Sequence, residues 1–150
     1  MDAKKKAASL IKRFHTNDPF ALAAALGIHI LYSDLGGTWG CCTTYKRIRF
    51  IHINAGISEA EQRFTCAHEL GHAVLHPGMS LPYLRAHTLF SPAVYERQAN
   101  AFAVELLLPD EMLREHPECS IDHLAKSVGI PDGMEHLKSI TKQSSILHTG

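Results

Sequence analysis

Five consecutive residues, His68-Glu69-Leu70-Gly71-His72, carry the strongest chemical signal in the chain. Two histidines four apart share one face of a helix, so both imidazoles can reach one metal ion. Two neutral imidazoles and one carboxylate would leave a fourth position on tetrahedral zinc for water. Zinc lowers the pKa of that water, and a neighbouring carboxylate can take its proton as it attacks a carbonyl. Glu69 stands where that general base is needed. The chain holds 11 histidines in 150 residues, so such a pentad can arise by chance and its context matters.

The helix that must carry the pentad is legible. Ser58 and Glu61 form a capping box behind apolar Ile57, and Pro77-Gly78 stops the helix near His76. At about 100° per residue, with Phe64 at zero, Ala60, Ala67, Gly71, Val74 and Leu75 make an apolar stripe. His68 and His72 follow at roughly 40° and 80°, and Glu69 at roughly 140°, on the solvent side of the histidines. Cys66 lies about 200° round from His68, so it reads as core packing and not as a thiol ligand. His76 is about 12 Å along the axis from His68, too far to share an ion with both histidines. It reads as a helix C-terminal cation suited to the macrodipole, or as a residue lining the cleft.

A third ligand must come from elsewhere. A second helix starts at Ser91-Pro92 and ends near Leu108-Pro109; on it Glu96, Ala99, Asn100, Ala103 and Leu107 share a face. A carboxylate on a small, apolar face is costly unless it is paired or metal-bound. Spacing leaves two readings for Glu96, a metal ligand or an acid that favours the helix N-terminus and pairs with surface charge. Asn100 points the same way and could support a ligand histidine. Between the helices, residues 78–91 read as an irregular loop. Tyr83 and His87 on that loop, and Tyr95 beside it, are candidates for the substrate cleft, with structural roles as the alternative.

The remaining elements must hold these two helices together. Ala3 to Phe14 reads as a helix, and Asp18-Pro19 opens a short one that Gly27 ends. Ile28 to Tyr32, Trp39 to Tyr45 and Arg47 to Ile53 read as strands. After the second site helix, short helices are expected over Asp110 to Glu115, Ser120 to Val128 and Pro131 to about Thr141, with a frayed tail from about 143. Helices, a small sheet, then helices again predict an α+β fold in one domain over 1–150. Basic and acidic residues balance at 15 each, which removes long-range attraction to nucleic acid. Leu124 to Lys138 faintly resembles a helix-turn-helix, but Asp132 and Glu135 oppose phosphate contact, so no direct nucleic-acid binding is expected. The start shows no secretory signal and no run is long enough to span a membrane, which predicts a cytoplasmic protein with reduced cysteines.

The segments RFTCAHELGHAVLH (Arg63 to His76) and ERQANAFAVELLLP (Glu96 to Pro109) together resemble the ImmA/IrrE family of bacterial metallopeptidases. The strand RIRFIHINAGIS (Arg47 to Ser58) matches the family stretch that precedes the active-site helix, and the resemblance spans roughly residues 10 to 130. It implies a compact zincin-like (mini-gluzincin) domain, a small sheet packed on the active-site helix. It implies zinc held by His68, His72 and Glu96, with Glu69 as base and Asn100 in support. Manganese or iron could occupy such a site. It further implies site-specific cleavage of a helix-turn-helix repressor, which makes the protein an antirepressor encoded on a mobile element. The competing expectation is a regulator that sequesters a repressor without cutting it.

Overall fold

Local capping explains where most helices begin. In the computed structural model, which describes residues 2–77 and 92–139, α1 (Ala3–Phe14) starts at Asp2, whose carboxylate accepts from Lys5 N–H. Asp18 does the same for α2 (Pro19–Ala25), accepting from Phe20 N–H, with Pro19 in the first turn. Gly27, at φ 74°, takes the left-handed conformation that turns the chain into β1 (Ile28–Ser33). Two more strands follow, β2 (Gly40–Tyr45) and β3 (Ile48–Asn54). Lys46 and Arg47 join them with φ of 49° and 67°, the paired positive angles of a tight hairpin, here without glycine.

The sheet order is β1-β3-β2. β1 runs parallel to β3, with Ile30 opposite Ile51, and β2 runs antiparallel to it, with Cys42 opposite Ile51. β2 is therefore an edge strand. The buried face contributes Ile51 and Ile53 to the core.

The predicted capping box forms: Ser58 Oγ accepts from Glu61 N–H and the Glu61 carboxylate accepts from Ser58 N–H. It opens α3 (Glu59–Leu75), which is followed by α4 (Pro92–Leu107), α5 (Asp110–Glu115), α6 (Ile121–Ser127) and a 3-10 turn at Glu135–Leu137. The architecture is α+β, a three-stranded mixed sheet with six α-helices among the described residues, compatible with a compact zincin-like domain. No helix among the described residues is long and apolar enough to cross a membrane.

Two expectations need correction. α3 does not bury one stripe: Thr65, Cys66, Leu70 and Ala73 are buried as well as Phe64, Ala67 and Gly71. The sheet and α2 cover one side of it and α4 the other, so it is the central helix of the fold. The helix expected from Pro131 is only the 3-10 turn. Gly133, at φ 89°, leaves the helical region, and its N–H donates to the Glu135 carboxylate. The loop over 78–91, with Tyr83 and His87, and the expected tail lie outside the described residues.

Candidate metal centre

The close approach of α3 and α4 makes the site. A Cβ built on Gly71 would lie 3.2 Å from Ala99 Cα and 3.1 Å from the Phe102 ring, so glycine lets the helices meet this closely without displacement. Gly71 lies between the two histidines on α3, and Ala99 lies three residues after Glu96 on α4. The crossing thus brings Glu96 over the pair. Its Oε1 is 2.6 Å from His72 Nε2 and its Oε2 is 3.3 Å from His68 Nε2. One donor atom from each of the three residues lies within 4.8 Å of the others. Two imidazole nitrogens and a carboxylate facing a common point fit a divalent ion of zinc type.

Glu69 adjoins this cluster, its Oε2 3.8 Å from His68 Nε2. It is only 8% exposed, not on the solvent side as the helix angle predicted. β2 packs over that flank of α3; burial raises the pKa of Cys41 and Cys42 on that strand, and the charge of Glu69 adds to the shift. Burial raises the pKa of Glu69 itself, against the pull of His68 and His72 and with the added push of Glu96. Glu96, 54% exposed at its side chain, moves the other way. Hydrogen bonds from His68 and His72 hold its carboxyl well below the ordinary range. Burial pulls the pKa of His68 down, but the bond to Glu96 and the charges of Glu69 and Glu96 outweigh it, with help from Asn100, and the net shift is upward. The two neighbouring carboxyls are thus pushed apart, one toward holding a proton and one toward charge.

An open cleft of about 340 Å³ exposes the cluster. His68, Glu69, Glu96 and Asn100 line it. Trp39 and Gly40 form one wall; Pro131 and Met134 belong to the C-terminal segment. Asn54, 3% exposed, orders the loop that carries Trp39. Its amide donates to the carbonyls of Gly36 and Thr38, and its Oδ1 accepts from Gly56 N–H. Arg49 donates to the Ala73 carbonyl in the last turn of α3 and ties β3 to the site helix.

His76 is buried behind His72, and it is not among the residues lining the cleft. Its Nδ1 is 3.1 Å from His72 Nδ1, its Nε2 is 2.7 Å from Gln98 Oε1, and its ring meets Tyr95 edge-on at 4.6 Å between centroids. Gln98, Trp39, Pro131 and Met134 were not picked out from sequence. Only Trp39 carried a signal, as the one tryptophan of the chain beside a strand glycine.

Comparison with known proteins shows the family of the chain. Residues 23–136 match the family model described as the IrrE N-terminal-like domain of the M78 peptidases. The chain is 40% identical over 136 residues to "Uncharacterized immunity region protein 2" of Bacillus phage phi105, a match over 89% of this chain and 86% of that protein. It is 36% identical over 114 residues to "Metallopeptidase ImmA" of Bacillus subtilis (strain 168), over 75% of this chain and 66% of that protein.

Proposed function

Because this chain belongs to the ImmA/IrrE family of M78 peptidases, we propose that it is a zinc-dependent endopeptidase with His68, His72 and Glu96 as metal ligands and Glu69 as general base. The observation that carries this reading is the convergence of the three donors beside a buried carboxylate in an open cleft. A bound zinc supplies Lewis acidity, which polarises the scissile carbonyl and acidifies an attacking water. Glu69 accepts the proton of that water and returns it to the leaving amine. Burial raises its pKa above that of an ordinary carboxyl, which favours uptake of that proton. Glu96 stays anionic and holds both histidines toward the cleft. Asn100 flanks His68. Gly40, on the cleft wall, begins the edge strand β2, whose outer backbone groups can take an extended peptide.

The substrate in this reading is a helix-turn-helix repressor in the cytoplasm, whose cleavage relieves repression. Its support is the nature of two relatives, an immunity-region protein of a phage and a metallopeptidase. The test is incubation of zinc-loaded protein with helix-turn-helix repressors from its own genome. Wild type should yield two fragments and Glu69→Gln none. A stoichiometric, uncut complex with wild type would instead establish sequestration.

A further inference from the structure

The cleft beside the metal cluster has one polar side and one apolar side. His68, Glu69, Glu96 and Asn100 make the polar side. The apolar side comes from three separate parts of the chain: Trp39 ahead of β2, Phe64 on α3, and Pro131 with Met134 in the C-terminal segment. Each part is held in place. Phe64 is 4% exposed and belongs to the core. The Trp39 carbonyl accepts from Asn54 N–H at 2.8 Å, which ties it to the end of β3. Met134 N–H donates to the Pro131 carbonyl, its side chain packs on the core, and buried Ile130 and Lys138 anchor the segment on either side. Trp39 nevertheless stays 37% exposed, a large apolar ring left open at the cleft.

An extended peptide has a defined path past this wall. The bond from Asn54 to Trp39 fixes the phase of the β2–β3 ladder. Residues 39, 41 and 43 bond across to β3, so Gly40 and Cys42 turn their N–H and C=O toward the free edge. Gly40 faces α3, because a Cβ there would lie 2.5 Å from Thr65 Cγ2. A peptide residue paired with Gly40 would point its side chain to the same side, into the cleft.

We propose that Trp39, Phe64 and Met134 form a specificity subsite that takes one bulky apolar side chain of the substrate beside the bond to be cut. The inference rests on the peptidase reading above and names what that site selects. Among the described residues no lysine or arginine lines the cleft, and its two carboxylates, Glu69 and Glu96, stand at the histidine pair. A charged side chain seated against the wall would lose its water without gaining a partner. An apolar one would cover Trp39 and Met134. At about 340 Å³ the cleft is near the lower limit for a ligand site, room for a large side chain and its backbone and not for a folded domain.

Trp39 is the one tryptophan of the chain, so its emission reports on the subsite directly. Three hydroxamates, which bind zinc through the same head group, are titrated into zinc-loaded protein. Acetohydroxamate carries no side chain, isocaproic hydroxamate adds an isobutyl group, and succinic monohydroxamate adds a carboxylate. The isocaproic probe should bind about 10- to 100-fold tighter than acetohydroxamate, the effect of burying a leucine-sized group, and should shift Trp39 emission to the blue. The succinic probe should gain nothing. Met134→Asn should remove most of the isobutyl advantage, and Met134→Leu should keep it. Equal affinity of wild type for the isocaproic probe and acetohydroxamate would overturn the subsite, even if Met134→Asn failed to fold. So would an advantage that persists in folded Met134→Asn, or one that leaves Trp39 emission unmoved. A zinc titration comes first: a wild type that takes up no zinc would overturn the peptidase reading, and the subsite with it.

Discussion

His72 Nε2 and Glu96 Oε1 lie 2.6 Å apart although 24 residues separate them in the chain. The contact depends on one missing side chain: Gly71 lets α4 approach α3 until Ala99 touches it. It also gives Glu96 its low pKa and its reach to both histidines. The chemistry proposed for this cleft therefore rests on helix packing as much as on the ligand residues.

Glu69→Gln should fold and bind metal as wild type does, because the amide fills the same space. It should lose at least about 10²- to 10⁴-fold in cleavage rate, the ordinary contribution of a general base. Cleavage of a repressor or peptide, measured beside a zinc titration, separates the two effects. Cleavage at the wild-type rate would remove Glu69 from the mechanism.

Gly71→Ala places a methyl against the backbone of Ala99 and the ring of Phe102. The neighbours at 3.1–3.2 Å are mostly backbone, so α4 must give by a few tenths of an ångström. Stability should fall by about 1–3 kcal/mol in a denaturant melt, the range for overpacking. Because Glu96 travels with α4, zinc affinity should fall as well. Equal zinc affinity in the variant would show that the helix crossing does not set the ligand geometry.

Lys138 is buried, its Nζ 2.6 Å from Glu105 Oε1 and 2.7 Å from Asp110 Oδ1. Ser139 N–H also donates to Glu105, at 2.8 Å. This cluster fastens the segment that brings Pro131 and Met134 to the cleft. Lys138→Met would leave Glu105 charged and buried, at a cost of about 3–5 kcal/mol. The double change Lys138→Met with Glu105→Leu should recover much of that loss. Thermal melts of the three proteins decide it, and an unchanged melting temperature in the single variant would contradict the buried pairing.

The metal-free protein should show a particular dependence on pH. Glu96 has a folded pKa below its ordinary 4.5, so its contribution to stability is present above pH 4.5 and fades as pH falls further. His68 has a folded pKa above its ordinary 6.5, so its contribution is present below pH 6.5 and fades as pH rises through the folded value. The stability difference between wild type and Glu96→Gln should peak between these limits. Zinc requires neutral imidazoles, so metal affinity should instead rise with pH across the same window. A flat difference from pH 4 to 8 would mean the ion pair contributes nothing to folding.

Much of this was legible in the sequence because it is local. Asp2, Asp18, Ser58 and Ser120 each accept from a backbone N–H two or three residues on, and each marks a helix start that the sequence reading placed within a residue or two. The pairing of Glu96 with the two histidines was expected from the family resemblance. Helix geometry alone left it open, since no periodicity within α4 says what lies across from it. The burial of Glu69 was misjudged for a similar reason. An angle on a helical wheel locates a residue relative to its own helix, and here the opposite face is also covered, by β2. Gln98 and Lys138 find their roles through contacts 22 and 33 residues away in sequence, which no local pattern encodes. The turn at Gly133 overrode a helix that composition allowed.

The most direct test of the account is the zinc content of the purified protein, measured beside His68→Ala and Glu96→Ala. The account predicts about one zinc per folded wild-type chain, with the metal lost or loosened in both variants. A well-folded wild type that holds no metal, even after incubation with zinc, would contradict it.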